Sequence, residues 1–335
     1  MLGETIKDFT ITGQLGRGGM GEVFVAEQRI VKTKVAIKML QPQISAEKAH
    51  VDRFFNEAIA VSKIKHAGIV KIFDVGFHEG RAYLVMEFLD GETLSSRLRQ
   101  GVPFAKALDL ARQVTSILDA THAAGIIHRD LKPDNVFVVS DAELGERVRI
   151  LDFGIAKLGD VQATAASMSM GTPAYMPPEL WKDAATSGPA TDVYALGCVL
   201  FELCCGRPPF IVTAVSEACG RHLSEIPPRV RSLRPELPAA LDDLIAAMLE
   251  KEQPARPTTK AIAAALAAMS TVGISATLPQ GPSMAAATPS TPAPIVPGTA
   301  VGHASSRPAP PTSTADATPA SIASSVPPDS SITQR

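Results

Sequence analysis

The sequence lacks the features of several protein classes. Its 32 basic and 34 acidic side chains nearly cancel to a net charge of -2, so we expect no nucleic acid or anionic membrane as a partner. Only four cysteines occur, and since none forms a CxxC pair they indicate reduced thiols in the cytosol rather than a disulfide framework. The seven histidines show no metal-ligand spacing, and His128 is expected to be a packed loop residue.

Apolar leader and anchor segments are also missing from this sequence. Residues 1–9 lack the apolar run of a signal peptide. The apolar stretch at residues 192–205 is shorter than the roughly 20 residues that span a bilayer, and with Gly206 behind it the stretch predicts a buried helix. We therefore expect a cytoplasmic chain without a transmembrane segment.

The composition changes near the C-terminal end. Beyond about Ser275 the chain is rich in Ala, Pro, Ser and Thr, contains no aromatic residue and carries few charges. Such a segment cannot bury enough apolar surface to fold. The rest of the chain, in a sequence that is 45% hydrophobic, has enough material for a proper core. We predict an ordered domain over residues 1–273 and a disordered tail over residues 274–335.

One polar stretch, residues 128–135 with the sequence HRDLKPDN, lies between two apolar runs. A predicted helix ends before it at Gly125, and a short buried strand is predicted after it at residues 136–139. On this loop Asp130 can accept a proton, Lys132 can neutralise a phosphoryl group, and the amide oxygen of Asn135 can hold a cation. The alternative is a solvated turn without catalytic function.

Glycines at positions 16, 18, 19 and 21 separate two segments with strand character, residues 9–16 and 23–26. A dinucleotide-binding turn would open a helix, and a Walker loop would need a GK[ST] ending. Because a strand follows here, we predict a hairpin whose backbone N–H groups close over phosphates. A plain glycine-rich hairpin is the alternative.

A single lysine, Lys38, ends the apolar strand predicted at residues 35–38. A helix is predicted to start at Ser45 as its N-cap and to run to about Ile64. Glu57 borders the apolar face of this helix, where a carboxylate is costly unless it is paired, and Lys38 is the natural partner. The alternative is an ordinary exposed glutamate.

Strands predicted at residues 69–74 and 81–88 complete a set of five, and from Glu92 onward the pattern is helical. A further short strand ends at Asp152. This aspartate and Asn135 would supply two oxygen ligands of the kind that Mg²⁺ prefers.

Taken together, these motifs resemble those of protein kinases in their order and spacing. HRDLKPDN resembles the catalytic loop, VAIK at residues 35–38 resembles the strand that carries the ATP-binding lysine, and DFG at residues 152–154 resembles the metal-binding motif. Residues 171–179 resemble the end of the activation segment, except that Pro177 replaces the usual alanine of APE. The resemblance covers residues 9–269, and the LKPDN form is similar to that of Ser/Thr kinases.

This resemblance implies an α+β, bilobal protein-kinase fold. A small lobe at about residues 9–89 would hold a five-stranded antiparallel sheet and one helix, and a mainly α lobe would follow at about residues 90–272. The cofactors implied are ATP and Mg²⁺, the catalytic residues are Asp130, Lys132 and Asn135, and the metal ligands are Asn135 and Asp152. The implied ATP-binding residues are Leu15, Gly16, Gly18, Gly21, Val23, Ala36, Lys38, Glu57, Met86, Glu87, Leu89, Phe137 and Asp152.

The same resemblance implies how the site is supported. Asp192 would hold the backbone of the catalytic loop, and Glu179 would pair with Arg256. We also expect regulation by phosphorylation of the loop at residues 159–170, since a phosphate there could dock on Arg129. Thr164 is the favoured acceptor and Ser167 and Ser169 are the alternates. Protein substrates are the expected partners, with a transient homodimer if one molecule phosphorylates another.

Two other functions remain as alternatives. A pseudokinase scaffold is expected to lack at least one of Lys38, Asp130 and Asp152, and none is missing. A small-molecule phosphotransferase generally lacks the segment at residues 171–179 that docks protein substrates, and that segment is present.

Overall fold

Antiparallel strands form the N-terminal sheet of this computed structural model, which describes residues 1–141, 143, 145–153 and 172–269. The strand order is β1-β2-β3-β4-β6-β5. The five predicted strands are present, although the one predicted at residues 69–74 runs from Ile72 to His78. The sheet has a sixth strand, because Thr5 and Ile6 pair with Thr10 and Phe9. A two-residue strand is too short to show alternation in the sequence. The bounds are β1 Thr5–Ile6, β2 Phe9–Arg17, β3 Gly21–Gln28, β4 Lys34–Leu40, β5 Ile72–His78 and β6 Arg81–Glu87.

The two faces of this sheet are buried in different ways. Ile37 and Met39 of β4 belong to a cluster of strand residues, which also contains Ile11 and Tyr83. The other face, which includes Leu40, packs against a helix through Phe54, Ala58 and Leu84. Since side chains alternate along a strand, Lys38 shares its face with Leu40 and so lies on the helix side of the sheet.

The helix predicted from Ser45 to about Ile64 is two helices, α1 (Pro42–Ser45) and α2 (Lys48–Ser62). Ser45 is not an N-cap, so that part of the prediction is wrong. Its hydroxyl is buried and accepts a hydrogen bond from the N–H of Ala82 at 3.1 Å. The side chain therefore fastens α1 to the sheet, and the chain turns again before α2 begins.

The C-terminal lobe is mainly helical, as predicted, with a small second sheet of order β7-β8-β9. Its strands are β7 Gly91–Thr93, β8 Val136–Asp141 and β9 Gly145–Ile150. Its helices are α3 Leu94–Gln100, α4 Phe104–Ala123, α5 Pro178–Lys182, α6 Pro189–Cys205, α7 Val215–Ser224, α8 Val230–Leu233, α9 Ala239–Met248 and α10 Thr259–Met269. Short 3₁₀ turns occur at Pro133–Asn135, Thr172–Tyr175, Ala184–Thr186 and Gln253–Ala255.

Helix α6 forms the centre of this lobe. Most of its residues are buried, which confirms the prediction from its apolar sequence, and it ends at Gly206 in the left-handed conformation (φ 72°). A Cβ on Gly197 would lie 3.0 Å from the side chains of Met248 and Leu249, so α6 and α9 pack closely there. Among the helices that the structure describes, none is long and apolar enough to cross a membrane.

Candidate active site

The loop that follows α4 is held by one buried carboxylate. Gly125 leaves the helix with φ 74°, and the chain then passes Asp192 at the start of α6. Asp192 accepts hydrogen bonds from the backbone N–H groups of His128 at 2.9 Å and Arg129 at 2.8 Å, and its Oδ2 lies 2.7 Å from His122 Nε2. The expected role of Asp192 is thus confirmed, and the contact holds Arg129 in a left-handed conformation (φ 64°) that a non-glycine residue adopts rarely.

The ring of His128 lies inside the loop and contacts two backbone groups. Its Nδ1 accepts from the N–H of Asp130 at 3.2 Å, and its Nε2 lies 3.0 Å from the carbonyl oxygen of Leu151. The ring is fully buried, and burial lowers the pKa of His128 below its ordinary value. A neutral ring that accepts at Nδ1 and donates at Nε2 fits both contacts, so the prediction of a packed loop residue is confirmed.

The three predicted catalytic residues lie together. The amide nitrogen of Asn135 donates to the backbone oxygen of Asp130 at 2.8 Å and to its Oδ2 at 3.1 Å. Lys132 Nζ lies 3.4 Å from the same Oδ2. The carboxylate of Asp130 is therefore fixed by the turn that follows it, next to a positive charge.

Lys38 reaches across from the small lobe to Asp152, with Nζ 2.6 Å from Oδ1. Burial would lower the pKa of Lys38, but the negative charges of Asp152 and Glu57 outweigh it and raise that pKa. For Asp152, desolvation would raise the pKa, and the Lys38 ammonium reverses this and lowers it. Both groups are thus held in their charged forms.

Asp152 and Asn135 are joined through the backbone. The N–H of Leu151 donates to the carbonyl oxygen of Asn135 at 2.9 Å, and the ring of Phe153 packs 4.6 Å from that of His128. The amide nitrogen of Asn135 donates to Asp130, which leaves the Oδ1 of Asn135 for a metal ion. This oxygen and the Asp152 carboxylate are the two metal ligands that the site offers. Hard oxygen donors of this kind fit Mg²⁺.

The glycines of the glycine-rich hairpin differ in how closely other atoms approach them. A Cβ on Gly21 would lie 2.1 Å from the carbonyl oxygen of Met39, so Gly21 is needed for the close approach of β3 to β4. A Cβ on Gly16 or Gly18 would meet nothing within 4 Å. The backbone at Gly16 and Gly18 therefore borders open space, which fits a loop that covers phosphates.

The residues predicted to surround a base come from several elements. Val23 pairs with Lys38 across β3 and β4, and Ala36 pairs with Met86 across β4 and β6. Phe137 comes from β8 of the second sheet. These residues, together with Leu15, which precedes Gly16 on β2, and Leu89, which follows β6, remain predictions as base contacts.

The backbone of Glu87 has one group, its carbonyl oxygen, that a bound base could contact. Its backbone N–H donates to the carbonyl oxygen of Lys71 at 2.9 Å. That N–H is therefore not available to a ligand, and a contact of Glu87 with a base would use its carbonyl oxygen.

A comparison with protein families identifies the family of the chain. The protein kinase domain family matches residues 9–266. The chain belongs to the protein kinase family. Its bilobal α+β architecture and the order of its motifs agree with that membership.

Curated relatives of this kinase domain are bacterial Ser/Thr protein kinases. The chain is 39% identical over 254 residues to the serine/threonine-protein kinase Pkn1 of Myxococcus xanthus, covering 75% of this chain and 36% of the relative. It is 36% identical over 249 residues to the probable serine/threonine-protein kinase PknB of Lactococcus lactis, covering 73% of this chain and 39% of the relative. The chain thus spans well under half the length of these two relatives.

Among solved structures, the kinase domain is similar to that of PknI from Mycobacterium tuberculosis. The TM-score is 0.64 at 26% sequence identity, covering 80% of this chain and 98% of the solved chain. This likeness confirms the predicted fold class.

Two contacts of the kinase domain had no signal in the sequence. The Nε of Arg129 donates to the hydroxyl of Ser187 at 2.8 Å, and the hydroxyl of Tyr175 donates to Glu202 at 2.5 Å. Both join residues that are far apart in the sequence and meet only in the fold. The loop at residues 159–170, with Thr164 and its neighbours, lies outside the described residues.

Proposed function

We propose that this chain is an ATP-dependent Ser/Thr protein kinase that transfers the γ-phosphate of ATP to hydroxyl groups of proteins. The observation that carries the proposal is the set of contacts that joins Asp130, Lys132 and Asn135 on one loop. The description of the relatives as Ser/Thr protein kinases supports the choice of acceptor.

In the proposed reaction Asp130 orients the acceptor hydroxyl and takes its proton. Lys132, 3.4 Å from the Asp130 carboxylate, offsets the negative charge that develops on the transferred phosphoryl group. Asn135 keeps the Asp130 carboxylate in place through its amide nitrogen. The three residues thus combine general-base catalysis with positioning.

Bound ATP and Mg²⁺ would supply the phosphoryl group and neutralise its charge. Lys38 would hold the phosphates, and Asn135 and Asp152 would hold the cation. The charges needed for this are already set, since the pKa of Lys38 is raised and that of Asp152 is lowered. The open space beside Gly16 and Gly18 supports phosphate binding under the hairpin.

We also propose that the kinase is regulated by phosphorylation within residues 159–170, carried out by a second copy in a transient homodimer. The support comes from Arg129, whose Nε donates to Ser187 beside the catalytic Asp130. A phosphate could be bound by the same guanidinium through charge-assisted hydrogen bonds. A cytosolic location, expected from the four free cysteines, completes the proposal.

The alternatives have less support. A pseudokinase scaffold has no use for a Lys38–Asp152 ion pair of 2.6 Å beside an intact catalytic loop. A small-molecule phosphotransferase has no use for the segment that ends at Glu179, which is anchored in the large lobe.

The test is the Asp130→Asn variant. ATP affinity is expected to stay nearly unchanged, while phosphotransfer to a generic protein substrate falls by at least ~10²-fold, because the general base acts mainly on the transition state. The control is Asp134→Asn, an exposed aspartate four residues away, which should keep its activity. Near-normal transfer by Asp130→Asn would refute the assigned role.

A further inference from the structure

A cleft of about 530 Å³ lies in the large lobe, outside the catalytic loop. Two segments and one helix border it: the loop after α6, the end of α7, and the loop between α7 and α8. Its lining includes Arg207, Ile211, Arg221, Glu225 and Ile226. None of these residues takes part in the proposed phosphotransfer.

Packed side chains beneath the cleft hold its walls in place. Phe210 is buried and stacks edge-on against His222 of α7, with ring centroids 5.0 Å apart. Lys251 Nζ lies 4.9 Å from the centroid of Phe210 and 3.4 Å from the carbonyl oxygen of Arg221. Pro209 and Pro228 stiffen the two loops that line the cleft. A ligand would therefore meet a preformed surface and lose little to ordering of the protein.

Two isoleucines make this surface apolar. Ile226 has 86% of its surface exposed and Ile211 has 53% exposed. Both line the same cleft, so together they are more than scattered surface residues.

Of the two arginines that line the cleft, Arg221 is neutralised by glutamates and Arg207, among the residues that the structure describes, is not. Arg221 pairs with Glu217 at 3.0 Å and with Glu225 at 3.5 Å. The hydrogen bonds of Arg207 go to the carbonyl oxygens of Pro208 and Pro209, and within the described part of the chain no carboxylate forms an ion pair with it. Arg207 can therefore bind an acidic side chain of a partner without losing an internal ion pair.

The position of the cleft suggests which partner this is. Helix α7 packs against α5 and against the turn Thr172–Tyr175. These two elements belong to the segment that, under the proposed function, receives the protein substrate. A substrate bound there would lie next to α7, the helix whose end borders the cleft.

We propose that the cleft binds an acidic and apolar segment of the protein substrate, separate from the residue that is phosphorylated. This inference rests on the proposed kinase function. Substrates that carry such a segment would be selected through Ile211, Ile226 and Arg207, independently of the sequence around the phosphorylated hydroxyl.

The experiment uses synthetic peptides and the full chain. One peptide carries a Ser acceptor alone, and others carry the same acceptor joined by a Gly/Ala linker to Glu-Leu-Asp-Leu-Glu, to Lys-Leu-Lys-Leu-Lys, or to Glu-Gly-Asp-Gly-Glu. The acidic and apolar extension should lower KM by at least about tenfold, because it makes acceptor binding effectively intramolecular. The other two extensions should not.

Ile226→Asp should abolish this advantage and leave KM for the acceptor alone unchanged. The matched control is Ile30→Asp, whose isoleucine is 81% exposed in the loop between β3 and β4 and should keep the full advantage. Arg207→Glu should transfer the advantage to the basic extension. If the wild type shows no preference, or Ile226→Asp retains it, the proposal is overturned.

Two further measurements distinguish a failure of the docking proposal from a failure of the proposed kinase function, and a bound substrate from a second copy of the chain. Fluorescence anisotropy of the labelled acidic and apolar peptide measures binding without catalysis, so a chain that binds it at the cleft but transfers no phosphate would contradict the kinase function and not the cleft. Sedimentation velocity tests the other occupant. A wild-type dimer that Ile226→Asp turns into a monomer would show that the cleft receives a second copy, which overturns substrate docking.

Discussion

Arg256 binds both carboxylate oxygens of Glu179, with Nη1 2.7 Å from Oε1 and Nη2 2.9 Å from Oε2. The pair is almost completely buried, and the guanidinium also donates to the carbonyl oxygens of Ala190, Glu250 and Lys251. The segment that ends at Glu179 is thus tied to the start of α6 and to the connection between α9 and α10. Planar, bidentate pairing of this kind requires an arginine and not a lysine.

Removing either partner should leave the other charge buried and unpaired. We expect Glu179→Ala and Arg256→Ala each to lower the free energy of unfolding by about 3–5 kcal/mol, and the double variant to cost less than the sum of the two. Denaturant melts of the four proteins give the coupling energy. The exposed pair Lys48–Asp52 is the control, with an expected coupling below about 1 kcal/mol. Strict additivity for Glu179 and Arg256 would contradict the prediction.

Asp192→Asn should disorder the catalytic loop without changing the affinity for ATP. The carboxylate accepts from the N–H groups of His128 and Arg129, and an amide would replace one acceptor by a donor, which costs about 1–3 kcal/mol for a buried unpaired group. We expect kcat to fall by more than tenfold while the affinity for ATP stays within about twofold. A normal kcat would show that the loop does not depend on this anchor.

Glu202 should make stability depend on pH near neutrality. Burial raises the pKa of Glu202 to about 7, although the hydrogen bond from Tyr175 acts in the opposite direction. Because the folded state binds this proton more tightly, its contribution to stability is complete below about pH 4.5 and is lost as the pH rises to about 7. The Glu202→Gln variant should therefore lose less stability over this range than the wild type.

The measurement is the free energy of unfolding at several pH values between 4.5 and 7.5, taken as wild type minus Glu202→Gln. The subtraction is needed because burial lowers the pKa of His222 to about 3, so protonation of that residue changes stability with the opposite sign at acidic pH. A difference that does not vary with pH would mean that Glu202 ionises normally in the fold.

Preincubation with Mg²⁺ and ATP should raise the activity of phosphatase-treated enzyme, through phosphorylation within residues 159–170. We expect Thr164 to be the favoured site, and the triple variant Thr164→Ala, Ser167→Ala, Ser169→Ala to stay at the basal rate. Phosphosite mass spectrometry and initial rates decide this, with the three single variants for comparison. A triple variant as active as fully phosphorylated wild type would show that no such switch exists.

Truncation after Ser275 should leave folding and kinase activity largely unchanged, because the Ala/Pro/Ser/Thr-rich tail has too little apolar content to add to a core. Thermal melts and peptide phosphorylation by the full and truncated chains test this. Loss of solubility on truncation would count against it.

The sequence by itself determined the chemistry of the site. Asp130, Lys132 and Asn135 lie within six positions, so a single loop brings them together, and the residue types alone indicate phosphoryl transfer. Helix α6 was predictable for a similar reason, since an apolar pattern on every side of a helix is a property of consecutive residues. The pairing of Glu179 with Arg256 was expected only because the motifs around them resemble those of a known family.

The tertiary structure decided the contacts between residues far apart in the sequence. Lys38 and Asp152 are 114 positions apart, and the fold brings them within 2.6 Å of each other, a pairing that the sequence did not indicate. The negative charge of Glu57, the partner that the sequence did indicate, also raises the pKa of Lys38. The buried hydroxyl of Ser45, the bond from Tyr175 to Glu202 and the cleft beside Ile226 had no local pattern either. Whether such groups are buried, paired or exposed is defined only by the packed chain, because desolvation and pairing depend on the neighbours that folding supplies.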